Sequence, residues 1–467
     1  MSSFDVIFLG GGPAGYVGAI RAAQLGLRVA VVEREALGGT CVIWGCIPAK
    51  ALLEAAATVQ KVRHAADFGV TVSDIKTDYG VAMRRSRAVS QQNSKGVEVL
   101  FKKHKITYIK GTARLAGGKS VAVKTADGKD ERHEATRGLV ISTGSRVKGL
   151  AQVGLELDRK SVISSDEALI LERAPKSLAI VGAGAVGCEF ADVFNAFGSQ
   201  VTLIEALPAI LPLEDADCSR ELQRAFKKRT IDVLTGARIS DVKVGKASVS
   251  MVVESGGEKR KLEVEKVLVA TGRAPNVDDL GLEEAGVQLT DRGFIRINDR
   301  METTATGIFA IGDVAGPPML AHKGSREGVV LAELLAGQHS HGMNYGNVPS
   351  ATYCHPEVAS IGLTEQQCKD RKLDYRVGRF PFSANGRART AGETDGFVKI
   401  IRDAKYGEIL GAHIIGPHAT EMIHELAVAR ENEYTVEEVD LAIHAHPTLS
   451  EAVAEAALDS LGRMIHA

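Results

Sequence analysis

The feature that most constrains this chain is a glycine turn that occurs twice, each time between an apolar run and a carboxylate at the same distance. The first copy is Gly10-Gly11-Gly12-Pro13-Ala14-Gly15, entered from Val6-Ile7-Phe8-Leu9 and followed by a helix-like stretch from Tyr16 to Leu25. An apolar run from Arg28 to Val32 then ends at Glu33. The second copy is Gly182-Ala183-Gly184-Ala185-Val186-Gly187, entered from Ser177 to Val181, followed by a helix to Phe197, the run Gln200 to Ile204, and Glu205. The copies are offset by 172 positions, and each acidic residue falls 18 places after the third glycine. Strand, glycine turn, helix, strand and carboxylate in this order specify a Rossmann-type unit. The first glycine allows the tight turn, the second lets the backbone approach a pyrophosphate, and the third lets helix pack on strand. The helix N-terminus offers free N–H groups and a partial positive charge to the phosphates. A single turn of this kind is a weak signal; two with matched carboxylates predict two separate dinucleotide sites. Glu33 and Glu205 are placed to accept from ribose hydroxyls. Glu205 would repel a 2′-phosphate and no arginine pair follows it, so NAD is expected there in preference to NADP.

At 467 residues the chain has room for about three domains of roughly 150 residues each. Apolar runs ending in Thr-Gly at Leu139 to Ser145 and Val267 to Arg273, and in Gly-Asp at Ile308 to Asp313, each return the chain to a sheet. From about Val348 the style changes: no glycine turn of this kind recurs, and Thr435 to Ala467 reads as helical with a break at His446-Pro447. The expected fold class is therefore α/β, with two Rossmann-like domains and a separate C-terminal α+β domain. With 57 Lys+Arg against 58 Asp+Glu, the net charge of -1 disfavours nucleic acid or an anionic membrane as partner. No apolar run reaches the roughly 18 residues a membrane helix needs, and the start lacks the basic region of a signal peptide. Six cysteines are too few for a disulfide-stapled secreted scaffold, so a cytoplasmic protein is expected.

The chemistry concentrates in Gly38-Gly39-Thr40-Cys41-Val42-Ile43-Trp44-Gly45-Cys46-Ile47-Pro48-Ala49-Lys50. Two cysteines separated by four residues could bridge across one loop or helical turn. Ala51 to Val62 reads as a helix, which puts Cys46 at its N-terminal turn, where the macrodipole favours a thiolate. Lys50 adds a positive charge one turn on. Placed just after a dinucleotide turn, the pair is expected to be redox-active and not two inert thiols. Near the other end, Glu451 follows His446 by five residues. A base that takes a thiol proton should titrate near neutrality, and a carboxylate can orient the ring and raise its basicity. Cys188, Cys218, Cys354 and Cys368 lack zinc spacing, as do Cys354-His355 and His444-x-His446; buried thiols and no metal site are expected.

Taken together, Gly-Gly-Thr-Cys-x4-Cys-Ile-Pro-x-Lys, the two glycine turns, Thr-Gly-Arg-x-Pro-Asn at Thr271 to Asn276, Gly312-Asp313 and the terminal His-x-His-Pro-Thr-x-Ser-Glu resemble the FAD-dependent pyridine nucleotide–disulfide oxidoreductases over nearly the whole chain. Within that family the closest likeness is to the branch that oxidises protein-bound dihydrolipoyl groups with NAD. The resemblance implies an FAD-binding domain at 1–149, an NAD-binding domain at 150–275, a second FAD-binding or central part at 276–347 and a dimerisation domain at 348–467. It implies that Gly10, Gly12, Gly15, Glu33, Thr40, Lys50, Gly111, Thr143, Gly144, Ser145 and Asp313 hold FAD, with Met319, Leu320, Ala321 and His322 running past the flavin. Gly182, Gly184, Gly187, Glu189, Glu205 and Gly272 would hold NAD, and Glu189 would pair with Lys50. Cys41 would exchange with the substrate dithiol and Cys46 would face the flavin. His446, held by Glu451, would be the base, reaching across a homodimer. Partners would be a lipoyl-bearing acyltransferase or the lipoyl carrier of glycine cleavage.

Rival readings lie inside and outside the family. A mercuric reductase is disfavoured because Leu461 to Ala467 lacks a vicinal cysteine pair. A glutathione-type reductase is disfavoured by Glu205 and by Ala185 where those enzymes often place a tyrosine. A flavin-bearing structural subunit is the reading from another class. The departures from the family pattern are Ile43-Trp44 in the cysteine loop in place of the usual Asn-Val, with Trp44 the sole tryptophan, and the smaller changes Ala49 and Ser142.

Overall fold

A computed structural model describes residues 2–467. The chain divides into two compact units. The first comprises the residues up to Ala51 with Met83–Lys148 and Gly272–Tyr345; the second comprises Leu52–Ala82, Gly149–Thr271 and Gly346–Ala467.

In the first unit, strand β1 (Ser2–Leu9) leads through the glycine turn into helix α1 (Pro13–Gln24) and strand β2 (Val29–Glu33). The short helix α2 (Gly39–Ile43) and the start of helix α3 (Cys46–Arg63) carry the cysteine loop, and the long helix α4 (Tyr79–Lys103) belongs to this unit from Met83 onward. Strands β3 (Thr107–Leu115), β4 (Ser120–Thr125) and β5 (Asp130–Ile141) come next. β1 pairs in parallel with both β2 and β5; β2 pairs in parallel with β3, and β5 with the strand Ile308–Ala310. Val6 to Leu9 are buried on both sides of the sheet, which is why the strand reads as an unbroken apolar run instead of an alternating one. β4 joins the outer halves of β3 and β5 antiparallel.

The second unit contains the second Rossmann-type sheet, all parallel, in the order Asp232–Leu234, Gln200–Ile204, Ser177–Val181, Lys266–Val269, Val162–Ile163. It also contains an antiparallel sheet in the order Ser350–Thr352, Glu357–Gly362, Ile409–Gly416, Phe397–Asp403, Tyr375–Pro381. Helices Ala419–Glu431 and Glu451–Ser460 pack on that sheet through a core containing Phe380, Ile400, Ile414, Ile423, Leu426 and Val453. The expected α/β class with an α+β C-terminal part is what the chain forms.

Three expectations need correction. The helix after the cysteines begins at Cys46 itself, not at Ala51. The C-terminal stretch is helical only over Val436–Leu441 and Glu451–Ser460, and the segment between them carries Pro447, which cannot continue a helix. Finally, Gly39–Arg63 does reach the length and apolarity of a membrane span. Its Val42, Ile43, Leu52, Leu53 and Ala56 are buried, as in a core helix.

Candidate active site

The two glycine turns are near copies in space as well as in sequence. Gly10 and Gly182 have φ of +112° and +102°, a left-handed backbone that side chains rarely adopt. Each would drive a Cβ into the end of the neighbouring strand: at Gly182 the Ala270 carbonyl oxygen would lie 2.6 Å away, and at Gly10 the Ser142 carbonyl would be struck. Gly15 and Gly187 are excluded from any larger residue by the carbonyls of Gly10 and Gly182, so helix and strand touch backbone to backbone. Gly12 and Gly184, the N-caps of their helices, differ: the nearest atom to a Cβ on Gly12 would be Gly39 Cα at 3.9 Å, and at Gly184 nothing lies within 4 Å. Open space is thus left beside both helix N-caps.

The matched carboxylates are pinned alike. Glu33 accepts hydrogen bonds from the backbone N–H groups of Gly11 (2.8 Å) and Glu35 (2.8 Å). Glu205 accepts from Ala183 (2.7 Å) and Leu207 (2.9 Å). In both copies the carboxylate at the end of the second strand is tied back onto the glycine turn.

Around the first turn, Thr143 and Asn276 are locked together. Thr143 Oγ1 donates to the Asn276 carbonyl at 2.8 Å, and Asn276 Nδ2 donates to the Thr143 carbonyl at 2.9 Å. Gly144 takes φ of +69°, Ser145 Oγ donates to the Asp313 carboxylate, and Arg273 Nε donates to Ser145 Oγ at 2.7 Å. Gly111 sits where β3 passes from β2 to β4, with Lys124 and Thr125 backbone against it. Thr40 lies in α2 and Lys50 one turn into α3. Met319 precedes Leu320, the N-cap of helix Ala321–Leu335, whose first turn holds Ala321 and His322. All of these belong to the first unit.

The cysteines are unbridged and half-buried, at the middle of the short helix α2 and the first residue of α3. The Cys41 thiol is pushed well above its ordinary range, first by its hydrogen bond with the Cys46 sulfur, then by burial and the Cys46 charge; Lys50 opposes the shift. The neighbouring Cys46 sulfur therefore disfavours loss of the Cys41 proton. The four remaining cysteines are buried thiols, as expected.

In the second unit, Glu189 is buried and accepts the Tyr353 N–H at 3.1 Å. His446 is 80% exposed, and its Nδ1 meets Glu451 Oε1 at 2.8 Å. Burial raises the Glu451 carboxyl, but the Thr448 N–H (2.7 Å) and His446 outweigh it and hold the group below its ordinary range. Gly272 falls in the first unit, where its carbonyl accepts the Lys148 N–H; Gly182 to Glu205 fall in the second.

Four residues carry the first site without having been singled out by sequence: Arg273, Asn276, Lys323 and Glu327. Arg273 and Asn276 were visible as part of a motif but had no role. Lys323 and Glu327, 2% and 1% exposed, brace the turn that carries Asp313. Glu327 Oε2 accepts the Gly312 N–H at 2.7 Å, and Lys323 Nζ donates to the carbonyls of Gly312 (3.1 Å) and Gly316 (3.0 Å). An i, i+4 Lys and Glu pair on a helix normally marks a solvated face. Nothing in the spacing says that this one is buried.

Comparison with known proteins agrees with this architecture. The family model for pyridine nucleotide-disulphide oxidoreductases matches residues 4–328, and that for the dimerisation domain of the same family matches 348–457. Among curated proteins, a dihydrolipoyl dehydrogenase of Rhizobium etli is 44% identical over 100% of this chain and 99% of its own length. A Bacillus subtilis dihydrolipoyl dehydrogenase is 43% identical, again over 100% of this chain and 99% of its own length. Among solved structures, LpdA of Mycobacterium tuberculosis superposes with a TM-score of 0.90 at 27% identity, covering 98% of this chain and 99% of that one. The flavoprotein disulfide reductase RclA of Escherichia coli, in a Cu(II) complex, gives 0.85 at 27%, covering 98% and 99%.

Proposed function

The chain belongs to the pyridine nucleotide–disulphide oxidoreductase family, and from that premise we propose that it oxidises protein-bound dihydrolipoyl groups to lipoyl, acting as a dihydrolipoyl dehydrogenase with FAD and NAD. Full-length relatives at 41–44% identity carry that activity in their names. The observation that carries the reading is the cysteine pair, with Cys41 holding its proton against the Cys46 sulfur at the start of α3. Two sulfurs in contact can close and reopen a disulfide by exchange with a substrate thiol.

In the oxidised enzyme Cys41 and Cys46 are bonded. His446, oriented by Glu451 through Nδ1, removes a proton from the substrate dithiol with its other ring nitrogen. The substrate thiolate attacks Cys41, the Cys41–Cys46 bond breaks, and Cys46 leaves as the thiolate that the helix N-terminus and Lys50 favour. The second substrate sulfur then displaces Cys41, releasing oxidised lipoyl and leaving both enzyme sulfurs reduced. The chemistry that bound FAD supplies is acceptance of this electron pair and its delivery as hydride to NAD.

The residues present fit both cofactors. FAD is held by Gly10, Gly12, Gly15, Glu33, Thr40, Lys50, Gly111, Thr143, Gly144, Ser145, Asp313 and the segment Met319 to His322. Gly182, Gly184, Gly187, Glu189, Glu205 and Gly272 would hold NAD. The domain division at 149, 275 and 347 goes with this assignment. The dimerisation domain supports a homodimer, in which His446 serves the partner subunit's cysteines. Lipoyl-bearing acyltransferases and the glycine-cleavage carrier are the partners. A cytoplasmic location suits the buried free thiols at Cys188, Cys218, Cys354 and Cys368.

The test is steady-state turnover with dihydrolipoamide and NAD, against glutathione disulfide and mercuric ion with NADH and NADPH. Rapid NADH formation from dihydrolipoamide is expected. Faster reduction of either alternative acceptor, or a flavin-bearing chain with no turnover at all, would overturn the proposal.

A further inference from the structure

Helix α4 carries an unusual buried stripe. Along it the interior positions are Ala82, Ser86, Ser90, Ser94, Val97 and Phe101, a helical spacing in which three successive turns bury a serine. Ser86 and Ser90 are 0% exposed and Ser94 is 8% exposed. A buried serine on a helix usually returns its hydroxyl to the carbonyl one turn back on the same helix. None of these does. Ser90 Oγ donates to the Val42 carbonyl at 2.6 Å, Ser86 Oγ to the Pro48 carbonyl at 2.8 Å, and Ser94 Oγ to the Leu37 carbonyl at 2.7 Å. Between the first two of these, Arg87 donates to the Ile43 carbonyl and lies over the Trp44 ring, 4.7 Å from its centre. Trp44 Nε1 in turn donates to Glu35 at 2.5 Å.

Two of the carbonyls chosen, those of Val42 and Ile43, are ones the loop cannot satisfy itself. α2 ends at Ile43, so Val42 and Ile43 present carbonyls with no continuing helix to donate to them. A buried carbonyl left unpaired is costly, and here α4 supplies both donors. Val42 lies between the two cysteines and Pro48 just after the second, so the contacts hold both sides of the Cys41-to-Cys46 step. Leu37 lies before the loop.

We propose that Ser86, Arg87 and Ser90 of α4 are positioning residues for the redox pair, clamping the backbone on both sides so that the Cys41 and Cys46 sulfurs stay within bonding reach of each other. This rests on the reading of Cys41 and Cys46 as a redox couple. The clamp acts on an equilibrium: two sulfurs fixed near each other have a high effective concentration, and slackening the loop lowers it and disfavours closure of the disulfide.

The experiment equilibrates holoenzyme with dithiothreitol buffers of graded oxidation, quenches by alkylation and reads the bridged fraction of Cys41 and Cys46 by mass spectrometry, alongside the thermal midpoint. Ser90→Ala is expected to lower the constant for disulfide closure about tenfold, about 30 mV at 29.6 mV per tenfold for a two-electron couple. Ser86→Ala should shift it in the same direction, which keeps the test open should Ser90→Ala fail to fold. Ser90→Thr keeps the hydroxyl and should restore the wild-type constant. Ser94→Ala, acting at Leu37, should cost thermal stability and leave the constant unchanged. If Ser86→Ala and Ser90→Ala lose only thermal stability, as Ser94→Ala does, or if closure becomes more favourable, the clamp is refuted while the redox reading stands. If the wild-type pair does not bridge at all, both fall.

Discussion

His446 Nδ1 and Glu451 Oε1 lie 2.8 Å apart, with the imidazole mostly in solvent and the carboxylate tied by its other oxygen to the Thr448 N–H. The carboxylate fixes which ring nitrogen faces away. Replacing Glu451 by Gln keeps the shape but removes the charge that stabilises the imidazolium. We expect kcat/KM for dihydrolipoamide to fall about tenfold or more, and His446→Ala to cost about 10²–10⁴-fold, the usual range for general-base catalysis. Initial rates across pH would check this; a Glu451→Gln profile superimposable on wild type would remove Glu451 from the mechanism.

The reduced cysteines should ionise as a unit. Because Cys46 holds the proton on Cys41, thiolate absorbance of the reduced protein should report one thiolate from this pair, not two, through to about pH 10. In Cys46→Ser the neighbouring charge is gone while Lys50 remains, so Cys41 should titrate lower than in the reduced wild type. That variant should retain FAD and lose lipoamide turnover. Normal turnover would refute the assignment of Cys46.

Glu205 should set nucleotide choice. Its two hydrogen bonds to Ala183 and Leu207 N–H hold it at the second glycine turn. With Glu205→Ala we expect NAD to bind about tenfold more weakly, the loss of about 1.4 kcal/mol, while NADPH binding improves. Calorimetric titration of both nucleotides decides it, and unchanged discrimination would count against the carboxylate's role.

Acid should loosen the second unit through one buried cation. Lys399 is 1% exposed and its Nζ lies 2.9 Å from Asp215, 2.7 Å from Asp217 and 2.7 Å from Glu365. Burial pushes the Asp215 carboxyl up, but the charges and donors around it prevail and bring it from 3.8 down to about 2. Among these the Lys399 cation is the effective one at neutral pH, since burial lowers His413 and keeps its ring neutral there. Glu365 is drawn from 4.5 to about 2, first by Lys369 and then by Lys399. Carboxyls depressed in the folded state contribute stability that is complete above their unfolded values and is lost as pH falls through the folded ones. Urea midpoints should thus hold down to about pH 4.5 and drop between there and about pH 2. Lys399→Met should cost about 3–5 kcal/mol at pH 7 by leaving the buried Asp215 carboxylate without its cation, and should flatten that acid limb. An acid limb as steep as that of wild type would assign it to other groups.

How much of this was legible in sequence follows the span of the contacts. Glu33 reaching Gly11 and Glu205 reaching Ala183 are the same short-range event within one strand–turn–helix–strand unit, so spacing alone located both carboxylates and their turns. The cysteine pair was legible for the same reason, six residues within one loop. Trp44 was visible as an oddity, but its partners Glu35 and Arg87 were not. Helix α4 escaped notice because serines occupy the stripe that apolar residues would normally mark. The buried pair Lys323 and Glu327 was hidden because its spacing is that of any solvated helix face.

By itself the amino-acid order determined what is local and periodic: two dinucleotide turns with their carboxylates, a cysteine loop at a helix start, and a histidine followed by its glutamate. Tertiary structure alone decided which side chains hold those parts in place. The hydroxyls of Ser86 and Ser90 reach carbonyls 38 and 48 residues away, Arg273 reaches Ser145, and Lys399 gathers three carboxylates from two separate segments. Those pairings carry no pattern along the chain, because burial and hydrogen bonding act through space and depend on where packing brings each segment to rest.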